Sequence, residues 1–186
     1  MYVYEVGLSS VDAPTIVLIH GAVISGWMWE PQIKHLEHEF HLLIPDLPEH
    51  GRSVNGSPFS IDNSADQIVE IIQAQAHGGR AHIVGLSVGA TVALEILMTA
   101  PQLVDHVVLS SASVGPFPGA FLLGLTKYLT VPFLKSSPGI KQLESSLGVP
   151  SEYRTQLKAS VQGLSAGLFG RVNRDVHEFE PVDRLG

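Results

Sequence analysis

The stretch AHIVGLSVGATVALEI, residues 81–96, sets one serine between two glycines, and chemistry in this sequence would begin there. Ser87 follows an apolar run that reads as a strand. It precedes an almost wholly apolar run, 88–100, that reads as a buried helix stopped by Pro101. Two backbones come close at such a turn, which is the reason for glycines on either side of the serine. The Oγ would stand at the carboxyl end of a sheet, where ligands of open α/β sheets bind. The helix N-terminus aims its first N–H groups at the same spot, suiting a developing negative charge. This is the layout of an acyl-transfer nucleophile; the bland alternative is a small residue filling a tight turn.

Two further stretches could complete such a site. In LIHGAVISGWMW (18–29) a strand ending in His20-Gly21 brings a backbone N–H beside the serine turn. Acyl transfer needs two donors on the oxyanion, and Ala22 and Val88 are the natural pair. PDLPEHGRS (45–53) is a loop at the end of a neighbouring strand, where Asp46 and His50 are expected to brace the chain by hydrogen bonds. His20 reads as a structural member of its turn. Trp27, close to the oxyanion loop, is the candidate for lining an apolar substrate pocket, whereas core or cap packing accounts equally well for Trp29 and Phe117. His35, His38 and His41 have a spacing compatible with a metal clip on a helix, but a solvated helix end is the expectation, and no metal site is assigned.

The elements that must position these residues alternate. YVYEV (2–6) reads as a half-exposed edge strand. TIVLIH (15–20), FHLLIPDL (40–47), AHIVGL (81–86) and DHVVLSS (105–111) read as buried strands. Between them fall helical patterns in MWEPQIKHLEHE and in 61–76, the latter with Ile61, Ala65, Ile68, Ile72 and Ala76 on one face. Strands alternating with helices predict an α/β fold with a mainly parallel sheet and flanking helices. From Gly115 the pattern changes to helices broken by Gly and Pro. The expected organisation is a core over 1–114, a helical cap insertion over 115–180 lying across one edge of the sheet, and the start of further core at 181–186.

Composition narrows the partners. With 186 residues, 11 Lys and Arg against 18 Asp and Glu, and a net charge of −7, the chain lacks the basic surface that nucleic acid requires. It contains no cysteine, so disulfides, zinc–thiolate sites and thiol nucleophiles are excluded, which suits a cytoplasmic location. The most apolar stretch, FPGAFLLGLTKYLTVPFL, is broken by Pro118, Lys127 and Pro132, so no membrane span is expected.

HGAVISGWMW, PDLPEHGRS and GLSVGA together resemble the α/β-hydrolase superfamily, in its branch of small cofactor-free esterases, over residues 15–111. The resemblance implies that Ser87 is the nucleophile, that Ala22 and Val88 supply the oxyanion hole, that the segment after Gly115 is a cap, and that no cofactor is used. Glu49 stands where the family often has glycine, as does Ala90. The family's triad runs Ser, then Asp or Glu, then His. After Ser87 come only His106, expected at the far end of the sheet, and His177, two residues from Asp175. FEPVDRLG resembles the segment before the family's next core strand, so the acid and the catalytic histidine are expected to be absent from this chain. That would leave DHVVLSS an uncovered edge open to self-association. The expected activity is hydrolysis of a small, largely apolar ester or related acyl substrate. The alternatives are a non-catalytic truncated paralogue or ligand-binding module, and a lyase or peroxidase on the same scaffold.

Overall fold

Residues 1–112 and 120–181 are described by a computed structural model of the chain, with backbone alone for 120–126. The chain opens with β1 (Tyr2–Gly7), β2 (Thr15–Ile19), α1 (Glu30–Leu36) and β3 (His41–Asp46). It continues through α2 (Ile61–Gln75), β4 (Ala81–Leu86), α3 (Val88–Thr99) and β5 (Val104–Ser110). Four helices follow: α4 (Ala120–Lys135), α5 (Ser137–Ser146), α6 (Arg154–Gly163) and α7 (Ala166–Glu178). The sheet order is β1-β3-β2-β4-β5. Only β1 is antiparallel, pairing Tyr2 with Asp46 and Gly7 with His41; the other three pairings are parallel.

The apolar runs are continuous because both faces of the central strands are covered. Val17, Ile19, Leu43 and Ile83 face α2 and α3, meeting Ile68, Ile72, Val92 and Ile96. Ile16, Leu18, Leu42 and Ile44 face the other way and meet Trp29 and Ile33 beside α1. Every residue of β2 and β3 is buried. α2 begins where the Ser60 side chain accepts the Asn63 N–H, as an N-cap should. The outer strands differ. β1 is nowhere fully buried and exposes Tyr4 and Glu5, and β5 carries exposed Val108 and Leu109.

α6 and α7 pack over the loops that follow β2 and β3: Leu157 and Val161 meet Ile24, and a cavity separates the two parts. Across that cavity they face Tyr2 and Tyr4 of the edge strand β1, and at the other edge Val108 and Leu109 of β5 stay exposed. One expectation is corrected: His35, His38 and His41 do not share a helix. α1 ends at Leu36, and His41 is buried on β3 between Thr15 and Glu5. Phe117, the 114/115 boundary and 182–186 lie outside the described residues.

Candidate active site

The turn from β4 to α3 holds Ser87 at φ +54°, ψ −119°, a conformation that side-chain-bearing residues rarely adopt. Packing enforces it. A Cβ on Gly85 would lie 2.7 Å from Ala90 Cα, and one on Gly89 would lie 2.5 Å from the carbonyl oxygens of Ile19 and His20. Helix α3 is therefore seated against β2 as well as β4, and the serine is squeezed out at the sheet's carboxyl end. Its side chain is exposed, while its own N–H donates to the Ser110 carbonyl at 2.8 Å.

Strain extends along this edge. The four non-glycine residues with positive φ among the described residues are Val23, Glu49, Ser87 and Ser111, one in each loop leaving β2, β3, β4 and β5. Val23, at φ +69°, is β-branched and so bears the greatest steric cost. No sequence pattern marks it. Its strain becomes visible only once the loop is seen folding back over the elbow.

Buried polar groups brace these loops. Asp46 accepts the Gly26 N–H on Oδ1 and the Arg52 N–H on Oδ2, each at 2.8 Å, so one carboxylate fixes two loops. His20 is fully enclosed. Its Nε2 accepts the Leu47 N–H at 2.9 Å, so Nδ1 carries the proton and donates to the Gly21 carbonyl at 2.7 Å. Burial first, then neighbouring His50, pushes its pKa down to about 3 against the opposing pull of the Gly21 bond. It is a neutral brace at the base of the Gly21–Ala22 turn. His50 donates Nδ1–H to the Pro48 carbonyl at 3.0 Å, and burial lowers its pKa also. Its Nε2 is buried without a partner.

A cavity of about 780 Å³ lies between these loops and α6–α7. His50 and Gln156 line it, and each has a buried acceptor without a partner, Nε2 and Oε1 respectively. Trp27 lines it too, stacked on Tyr153 and donating its indole N–H to Ser160 Oγ at 3.0 Å. Trp29 belongs to the core. Ser87 is not among the lining residues. Glu49 reaches across from the β3 loop: both carboxylate oxygens take the Arg171 guanidinium of α7 at 2.6 Å, and Oε2 also accepts the Phe59 N–H at 2.7 Å. Sequence reasoning marked Glu49 only as a glycine replaced; its partner lies 122 residues away.

No histidine–carboxylate pair is brought to Ser87 among the described residues. His106 lies four residues before Ser110 on a parallel strand, about 13 Å toward the opposite end of the sheet. Asp175 and His177 sit two apart on helix α7, so they face different ways, and Asp175 pairs with Arg174. No group of three or more metal-ligating side chains is assembled among the described residues.

The sequence profile of the alpha/beta hydrolase fold matches residues 14–130. The chain belongs to that family. Among its relatives, an AB hydrolase superfamily protein of Gibberella zeae is 39% identical over 101 residues, 54% of this chain and 36% of that protein. A pimeloyl-[acyl-carrier protein] methyl ester esterase of Nitrosomonas europaea is 32% identical over 102 residues, 55% of this chain and 38% of that protein. The matched stretch thus spans little more than a third of these relatives. In three dimensions, a hydrolase from Pseudomonas aeruginosa superposes with a TM-score of 0.79 at 20% identity, covering 98% of this chain and 70% of that one. That likeness establishes the fold. No helix among the described residues is long and apolar enough to cross a membrane.

Proposed function

We propose that this chain carries the nucleophile and oxyanion portion of a serine hydrolase site acting on small, largely apolar esters or related acyl substrates. The observation that carries the reading is Ser87 itself, exposed and held at φ +54° by backbone packing that Gly85 and Gly89 alone permit. Its Oγ attacks the carbonyl carbon while its proton passes to a base, which the described residues do not bring to Ser87. The C=O π pair moves to oxygen, and collapse of the tetrahedral oxyanion expels the alkoxide, which takes up that proton and departs as the alcohol, leaving the acyl group on Ser87. Water then releases the acid. Ser87 N–H is committed to Ser110, so the oxyanion donors are Val88 N–H, at the first position of α3, and Ala22 N–H in the strained loop beyond Gly21. Trp27 contributes to the pocket under α6.

The test is labelling by an alkyl fluorophosphonate with the site mapped by mass spectrometry. The label is expected on Ser87 and lost in Ser87→Ala. Reaction at another serine, or none at saturating probe in a full-length form that supplies a histidine and an acid to Ser87, would overturn the reading.

A second reading, a ligand-binding module without turnover, is favoured by the cavity whose lining omits Ser87. It predicts binding of an apolar molecule. That binding would be unchanged in Ser87→Ala, with no acyl burst from p-nitrophenyl acetate in either protein.

A further inference from the structure

The register between β4 and β5 slips once. Ala81 pairs with Val104, but Ile83 pairs with Val107, so the single residue His82 is opposed by two, Asp105 and His106. This is a β-bulge, a device that re-aims side chains. Beyond the slip the offset between the strands is constant, so continuing it sets His106 directly opposite His82 on one face, and Asp105 is the extra residue. The rings lie 5.0 Å apart, and the two Nδ1 atoms are 3.1 Å from one another. Arg80 secures the bulge by donating to Asp105 Oδ1 at 2.7 Å and to the Gln102 and Val104 carbonyls.

We propose that His82 and His106 form a two-imidazole chelating site for a divalent transition metal, copper or nickel ahead of zinc, which staples the edge strand β5 to β4. Imidazole nitrogens bind such ions at about 2.0–2.1 Å, so two of them on adjacent positions stand about 2.9–3.4 Å apart. The observed separation falls within that window. Without an ion, the contact requires one Nδ1–H to donate to the bare Nδ1 of the other ring. With an ion, both rings are neutral, carry their proton on Nε2 and present both Nδ1 lone pairs. Asp105 is held by Arg80, so water completes the coordination. His106 is exposed and His82 half-buried, so an ion reaches them from solvent, and the chain's net charge of −7 favours its approach. The ion joins β5 to β4, its one neighbour among the described residues.

The experiment is titration of the 186-residue chain with CuSO4 and NiCl2, followed calorimetrically and by thermal melting. Copper electron paramagnetic resonance would count the bound nitrogens. Expected are one two-nitrogen site, a Tm increase of about 5 °C or more at hundredfold excess over Kd, and slower hydrogen exchange along β5. His82→Ala and His106→Ala are each expected to weaken binding at least about tenfold and to remove the Tm shift. His35→Ala/His38→Ala, on the other exposed histidine cluster, is expected to retain both. Unchanged binding in His82→Ala and His106→Ala, loss confined to the His35/His38 variant, or no binding at millimolar metal would each overturn the proposal.

Discussion

At the scale of single residues, the chain stores strain where the proposed chemistry is and keeps its buried histidine braces neutral. Ser87 at φ +54° costs about 1–3 kcal/mol relative to a relaxed serine. Ser87→Gly is therefore expected to raise stability by about 1 kcal/mol in urea unfolding while abolishing fluorophosphonate labelling. Ser87→Ala should abolish labelling without that gain, and equal stability of the two variants would remove strain from the account. Gly89→Ala is expected to cost about 3 kcal/mol, since its Cβ would meet carbonyl oxygens that cannot yield. His20 gives a pH signature. Its folded pKa is about 3 against an ordinary 6.5, so between those values the unfolded chain binds the extra proton. The stability of the neutral ring is thus fully present above about pH 6.5 and is lost as pH falls toward 3, at no more than about 1.4 kcal/mol per pH unit. Urea midpoints should fall from pH 7 to pH 5, and the fall should be shallower in His20→Gln.

At the scale of elements, one ion pair ties the β3 loop to α7, and its test separates charge from backbone. Glu49 sits at φ +64°, where glycine is at ease, and holds Arg171 and the Phe59 N–H. Glu49→Ala loses the contacts and keeps the strain, while Glu49→Gly loses the contacts and relieves it. The alanine variant is accordingly expected to be less stable than the glycine variant by about 1 kcal/mol. A double-mutant cycle with Arg171→Ala should return a coupling of about 1–2 kcal/mol, and a coupling near zero would mean that packing alone holds α7 in place. This pair also shows what a sequence can reveal. The strands, α2, α3 and the elbow were legible because period and turn chemistry are local: continuous β-branched runs, the apolar face of 61–76, glycines around Ser87. Asp46 as a brace was legible for the same reason. The Glu49–Arg171 pair, the Val23 strain and the strand register that sets His82 beside His106 depend on contacts between distant segments. The strand FHLLIPDL already placed His41, so only its grouping with His35 and His38 on one helix fails, because α1 stops at Leu36 and the buried strand β3 begins at His41.

At the scale of the whole molecule, the sheet is protected unequally. α2 and α3 cover one face, and α1 covers the other only across its centre. Val84 and Leu86 are left half-buried and Val108 is 57% exposed at the β5 side. Among the described residues β5 also has no strand partner on its outer side, so its backbone groups there are a template for pairing. Charge opposes this, since a net −7 repels identical copies, but β5 itself carries one acidic residue, and Arg80 neutralises it. The balance predicts association through the edge, strengthening as salt screens the net charge. Sedimentation velocity over the micromolar to millimolar range, at low and high salt, should show a shift from monomer to dimer. Val108→Lys should hold the chain monomeric at every concentration, because a charge on an edge strand blocks the pairing while leaving the buried face intact. A wild-type chain that stays monomeric at high salt and high concentration would mean that the edge is closed by the chain itself. Association unchanged by Val108→Lys would place the contact elsewhere on the surface.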